Sequence, residues 1–291
     1  MPRTARLDIP GCLYHVISRG NERREIFADN SDRADFIQRL QAALKRTGAK
    51  CLAWCLMPNH FHLMVLRGAR PLSELMRSLL TGYAGNFNRR HFRCGHLFQN
   101  RYKAILCEED AYLMELAAYI HLNPLRAGLV RNYENLTGYK WSGHGELNGT
   151  KRAVLVDRDY LLQYFRQNAG DAAAKYEEFV LERKDKYKGG ELSGGGLVRS
   201  LGGMVSVLAA GRGGGKEMSD ARVLGGGNFV EALLREAGES AGPGESPEEI
   251  LKEVCATTGV TAAEIKGPSR IRRFVDARAR YCRLAREAGI S

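Results

Sequence analysis

Residues 51–66 read Cys51-Leu52-Ala53-Trp54-Cys55-Leu56-Met57-Pro58-Asn59-His60-Phe61-His62-Leu63-Met64-Val65-Leu66. Two apolar runs, Cys51 to Leu56 and His60 to Leu66, flank the turn-forming Met57-Pro58-Asn59, which is the pattern of a β-hairpin. Side chains alternate along a strand, so His60 and His62 emerge on one face of the second run and Phe61 on the other. Upstream, Tyr14 to Arg19 reads as a strand. From Ser31 or Asp32 as cap, Phe36, Ile37, Leu40 and Leu44 recur at helical spacing until Gly48 stops them. Downstream, a second helix runs through Leu72, Leu75, Met76, Leu79 and Tyr83. A strand near Tyr102 to Cys107 then precedes a third helix from about Glu109 to Asn123. The order β-α-β-β-α-β-α predicts an α+β fold, a ferredoxin-like antiparallel sheet with helices on one face and the other face free for a site.

The remainder of the chain divides by composition. Of its 33 glycines, 17 fall between residues 189 and 244, the signature of a connector. The expected layout is a domain over 1–145, a helical extension over 146–188, a Gly-rich linker region over 189–244 and a small all-α module over 245–291. In that module Pro247-Glu248-Glu249 opens a helix, Gly259-Val260 turns the chain, and Thr261 with Glu264 has the form of a capping box. Seven arginines then crowd between 270 and 286 against one acid, Asp276.

With 291 residues the chain is long enough for a real core, and its composition excludes a disordered or collagen-like polymer. It has neither a run of about 20 apolar residues that could span a membrane nor a signal-type apolar core at its start. Seven cysteines without a Cys-x-x-Cys pair suit reduced thiols in a cytosol. Lys and Arg outnumber Asp and Glu by 44 to 33, giving +11 and pointing to a polyanionic partner. Residues 1–150 carry +8 of that excess.

Two imidazoles on one strand face hold a divalent metal if a third donor arrives from elsewhere, though His-x-His on spacing alone is more often incidental. On the third helix, Leu113, Leu116, Ala117 and Ile120 form a core stripe, while Tyr112, Glu115, Tyr119 and Asn123 recur on another. The second stripe sets a candidate nucleophile, Tyr119, one turn from a candidate metal ligand, Asn123. A helical tyrosine is, equally, often a half-buried packing residue.

Three segments then combine: Met57 to Val65, Leu97-Phe98-Gln99-Asn100-Arg101-Tyr102-Lys103-Ala104, and Tyr119-Ile120-His121-Leu122-Asn123-Pro124-Leu125-Arg126-Ala127-Gly128-Leu129-Val130. With the strand at Tyr14-His15-Val16 and with Arg19-Gly20-Asn21, they resemble the single-tyrosine HUH transposases of the IS200-like superfamily, in the branch associated with repetitive extragenic palindromes (REP). The resemblance covers about residues 5–145. It implies an HUH nuclease fold and a metal-dependent nickase of single-stranded or hairpin DNA, with His60 and His62 as metal ligands, Tyr119 as nucleophile and Asn123 as the polar ligand one turn later. Some relatives carry Gln at that last position. His121, two residues past Tyr119, leaves the helical face.

A phenol with pKa near 10 is a poor nucleophile, and a phosphodiester repels anions, so Mg²⁺ or Mn²⁺ is the expected cofactor and a 5′-phosphotyrosine the expected intermediate. No phosphate-loop pattern accompanies the glycines, so no nucleotide energy source is expected. Arg19, Arg23, Arg24, Arg89, Arg90, Arg101 and Lys103 are the expected DNA contacts near the site, with Phe87, Phe92, Phe98 and Tyr102 as stacking candidates or core. The segment from about 247 to 288 resembles the DNA-binding domain of the bacterial replication initiator DnaA. That resemblance implies a helix-turn-helix in which Arg270, Arg272 and Arg273 approach duplex DNA.

The expected protein is cytoplasmic and nucleoid-associated, without membrane contact, and a monomer or homodimer. The alternatives are a catalytically idle domesticated DNA-binding regulator and an unrelated metalloenzyme using His60 and His62. The latter lacks an obvious carboxylate ligand.

Overall fold

The computed structural model describes residues 6–150, 154–166, 171–185, 222–225, 227–237, 247–267 and 271–287. Its first unit is built on a sheet of five strands in the order β2-β3-β1-β4-β5. The strands are β1 (Leu13–Arg19), β2 (Lys50–Met57), β3 (His60–Leu66), β4 (Lys103–Cys107) and β5 (Val223–Leu224). The first four pair antiparallel, and β5 runs parallel to β4. The hairpin closes as its sequence predicts: Met57 pairs with His60 across a two-residue turn. The turn is anchored, because the Asn59 carbonyl accepts from the Gly20 amide (2.8 Å) and the Pro58 carbonyl from that of Ile26 (2.9 Å).

Helices α1 (Asn30–Thr47) and α2 (Leu72–Arg90) cover the face that carries Phe61, whose ring meets Phe36 of α1 at 4.9 Å between centroids. The cap of α1 is Asp29, not Ser31 or Asp32. Asp32 occupies the third helical position and completes a capping box with it, each satisfying a backbone amide of the other. Helix α3 (Glu109–Arg126) packs on the opposite face, the one the order of elements left open. It is buried nearly all round, since further elements flank it, among them α4 (His144–Leu147), α5 (Arg158–Leu162) and α6 (Ala172–Glu182).

The spacing predicts that α3 ends at Asn123, before Pro124, but it continues one turn to Arg126. Proline has no N–H to offer the Ile120 carbonyl, which would leave an unsatisfied acceptor. The Asn123 side chain supplies the missing donor: Nδ2 donates to the carbonyls of Ile120 (3.3 Å) and Tyr119 (3.1 Å). The added turn matters for the site.

Within the span expected as linker, β5 and helix α7 (Gly227–Glu236) are formed. The strand belongs to the first unit, where the Leu106 amide donates to Arg222 O (2.8 Å) and that of Glu108 to Leu224 O (2.7 Å). The second unit holds α7, α8 (Pro247–Thr258), α9 (Ala262–Lys266) and α10 (Arg272–Glu287). Ile250, Val254, Val260, Ile265, Phe274 and Ala277 form its core, and the capping box of Thr261 and Glu264 is present. No helix among the described residues is long and apolar enough to cross a membrane.

Candidate active site

The pairing register fixes what lies on the α3 face of the sheet. Ile17 and Cys55 flank His62, Arg19 and Met57 flank His60, and His15 lies opposite Met64 one step further along. His15, His60, His62 and Arg19 therefore share a face, and α3 lowers Tyr119 onto it. The Tyr119 ring stands edge-on to His62 at 5.8 Å and to His15 at 6.1 Å between centroids. The His60 and His62 rings are 5.1 Å apart. One chain thus brings the predicted nucleophile and both predicted imidazoles together.

Each histidine has a defined partner. His60 Nδ1 lies 2.6 Å from Asn59 Oδ1, and His62 Nδ1 lies 3.0 Å from His15 Nε2. Burial holds all three rings neutral, since a charged imidazole would lose its hydration. His60 is lowered to about 4 and His15 to about 3, with Arg19 adding to the effect on the former and Lys103 on the latter. His62 lies well below its ordinary value, through burial first and then its neighbours His15 and His60. Neutral nitrogen donors on one face suit a divalent ion, so the chemistry of the donor set fits the metal the sequence leads one to expect.

Tyr119 is buried, and burial raises its pKa, while the Arg126 guanidinium opposes that rise by charge and by hydrogen bonding. Arg126 Cζ stands 4.4 Å from the centre of the Tyr119 ring. Only the extra turn of α3 beyond Pro124 brings this arginine there. Asn123 is buried with its amide nitrogen committed to the helix carbonyls, which leaves Oδ1 as its donor atom for a cation.

The other predicted residues sort differently. Arg19 lies beside the histidines, and its charge helps depress His60. Lys103 sits on β4 opposite Ile17, on the same face as His15. Arg23, Arg24, Arg89 and Arg101 are exposed, with Arg24 paired to Glu22 at 2.8 Å. Arg90 is tied instead to Asp29 (2.8 Å) and Asp32, fastening α2 to the start of α1. Arg272 and Arg273 are exposed on α10, and Arg270 lies outside the described residues. Phe87, Phe98 and Tyr102 pack inward, whereas Phe92 is 98% exposed.

Two participants escaped the sequence reading, His15 and Arg126. Strand alternation combined with a β1–β3 pairing would have put His15 beside His62. An i+7 spacing from Tyr119 would have flagged Arg126 had the helix been expected to run past Asn123. Among the described residues, the group of His, Cys, Asp or Glu side chains that brings three metal-ligand atoms within 4.8 Å of one another is not the histidine face but Asp29, Asp32 and His91. Its Asp32 carboxylate already accepts from Arg90, from His91 (2.9 Å) and from the Ala28 amide (2.9 Å).

Residues 8–123 match the family described as "Transposase IS200 like". No curated protein matches the chain. Among solved structures, a REP-associated tyrosine transposase bound to a REP hairpin is similar at 16% identity. That match covers 59% of this chain and 93% of the other, with a TM-score of 0.42. A Deinococcus radiodurans R1 protein provisionally described as a transposase is similar at 18% identity, covering 41% of this chain and 94% of the other, with a TM-score of 0.28.

Proposed function

We propose, from the match of residues 8–123 to the IS200-like transposase family, that the chain nicks and rejoins single-stranded or hairpin DNA through a covalent bond to Tyr119. The observation that carries the proposal is that the Tyr119 ring stands 5.8 Å from the His62 ring, between centroids, with the His60 ring 5.1 Å from His62 on the same sheet face. The motifs around these residues assign the activity to the branch associated with extragenic palindromes.

Tyr119 gives up its phenolic proton, its oxygen attacks phosphorus, a tyrosyl O–P bond forms, the P–O3′ bond breaks, and the released 3′ oxygen takes up a proton, so no net proton is gained or lost. The product is a 5′-phosphotyrosine beside a free 3′-hydroxyl. Because the phosphodiester energy is conserved in that bond, the hydroxyl of the same or another strand reverses the step, which is strand transfer. Arg126 favours the phenolate by charge and hydrogen bonding against the penalty of burial. Arg19 and Lys103, cations on the same sheet face, attract the DNA phosphates. His60, His62 and the Asn123 oxygen would hold a divalent ion, Mg²⁺ or Mn²⁺, whose positive charge would stabilise the scissile phosphate. The Tyr119 ring lies beside His62 of its own chain, which supports a tyrosine that acts within one protomer. In the second unit, exposed Arg272 and Arg273 on α10 serve duplex DNA as a separate anchor.

The test is a denaturing gel of the full chain incubated with labelled hairpin oligonucleotides and Mn²⁺. A covalent protein–DNA adduct that needs the metal supports the proposal. Binding of hairpins without any adduct overturns it in favour of a catalytically idle regulator. Removing residues 245–291 should lower duplex affinity and leave adduct formation on a short hairpin intact.

A further inference from the structure

An imidazole binds a cation only through a nitrogen that carries a lone pair, and a neutral ring has one such nitrogen. Which nitrogen it is depends on what the other one bonds. Asn59 settles this for His60. The Asn59 Nδ2 donates to the Arg23 carbonyl at 3.0 Å, which orients the amide so that Oδ1 is the atom 2.6 Å from His60 Nδ1. An amide oxygen only accepts, so His60 carries its proton on Nδ1 and its lone pair on Nε2.

His62 has a partner that can act either way. His15 Nε2 lies 3.0 Å from His62 Nδ1, the ring centroids are 5.2 Å apart with 19° between their planes, so the rings meet edge to edge, and both are buried. His15 Nδ1 is buried with no hydrogen-bond partner. If His15 accepted nothing from His62, the His62 proton would sit on Nε2, leaving no lone pair there. With His15 Nε2 as acceptor, both strand histidines hold their protons on Nδ1.

We propose that Asn59 and His15 are positioning residues that set the tautomers of His60 and His62, so that both rings offer Nε2 to a divalent cation. The inference rests on the metal reading given above. It assigns a task to the asparagine that opens the Asn-His-Phe-His sequence and to a third histidine from a different strand. Partners of this kind typically contribute 10- to 100-fold to metal affinity or activity.

Two measurements on the full chain test it without DNA. In the metal-free protein, long-range proton–nitrogen NMR of the histidine rings reads the tautomers directly, and His60 is expected with its proton on Nδ1. A proton on His60 Nε2 overturns the inference. Mn²⁺ affinity, followed by the electron paramagnetic resonance of the free ion, is expected to fall about 10- to 100-fold in Asn59→Leu and in His15→Phe. Asn59→Asp and His15→Gln, which keep an acceptor, should recover most of the loss. Wild-type affinity in Asn59→Leu and His15→Phe overturns the inference while leaving the metal reading standing. Mn²⁺ binding that is unchanged by His60→Ala overturns the metal reading itself and this inference with it. Should His15→Phe fail to fold, the tautomer spectrum and the Asn59 pair still decide.

Discussion

Helix α3 carries two clusters of aromatic and imidazole side chains only two residues apart, and they are opposite in character. Tyr119 faces the sheet, where His15, His60 and His62 present neutral nitrogens under the cations Arg19 and Arg126. His121 faces away, toward Tyr176 and His144: its Nδ1 lies 2.6 Å from the Tyr176 hydroxyl, and the rings of His121 and His144 are 5.5 Å apart. In the second cluster the nearby charge is an acid, Glu177, 3.2 Å from His144 Nε2, and both histidines are fully buried. Imidazole and phenol thus make a packed polar core on one flank and a candidate reaction centre on the other. What separates the two is the surrounding charge and the half-exposed His60, not the residue types.

Deleting a hydroxyl from each flank should give the widest separation. Tyr119→Phe is expected to abolish the DNA adduct on a denaturing gel with little change in melting temperature. Tyr176→Phe should retain the adduct and lose about 1 kcal/mol of stability, the worth of one buried hydrogen bond. An adduct in Tyr119→Phe would erase the functional distinction between the flanks.

Deleting an imidazole from each comes next. His60→Ala should slow adduct formation by about 100-fold or more and raise the Mn²⁺ concentration required, as expected for loss of a metal ligand. His121→Ala leaves a cavity and removes a hydrogen-bond partner of the Tyr176 hydroxyl, so urea denaturation should report a loss of about 2–4 kcal/mol with activity per folded molecule preserved. Arg126→Gln follows, with adduct formation slower by about 10- to 100-fold because the phenolate loses its cation. A rate unaffected by this change would mean that Arg126 merely packs on the ring.

The last effect is one of pH, and it applies to both flanks. His121 is held well below its ordinary 6.5 by burial and by His144. The unfolded chain therefore binds the proton first as pH falls. The stabilisation is fully present above pH 6.5 and is lost below it, by about 1.4 kcal/mol per pH unit for this one group. His60 acts in the same direction down to about pH 4. Urea midpoints measured at pH 7 and pH 5 check this, and a midpoint unchanged between them would mean that these rings are not held neutral.

Much of the first flank was legible because strands have a short period: alternation alone set His60 and His62 together and Phe61 apart. Tyr119 was readable from helical spacing, and the Thr261–Glu264 capping box from its spacing of three. His15 was hidden because its nearness to His62 comes from pairing between strands separated by a helix and another strand. Arg126 was hidden because the expected helix stopped near Asn123, whereas the Asn123 side chain, four residues past Tyr119, satisfies the Ile120 carbonyl left open by Pro124 and lets the helix run on to Arg126. The ion pairs of the exposed Arg90 went unread because Asp29 and Asp32 lie at the start of another helix. In each case a tertiary contact, not a local preference, decided the outcome.

The two-residue strand β5 governs where the chain can be cut for study. Stopping the protein at residue 188, just ahead of the Gly-rich span, would strip the outermost strand and leave the β4 backbone groups that bond Arg222 and Leu224 without partners. An open edge of that sort invites self-association. A shortened chain ending after Gly225 keeps the sheet whole, so soluble expression should depend on those few late residues although they lie more than a hundred positions from the strand they protect.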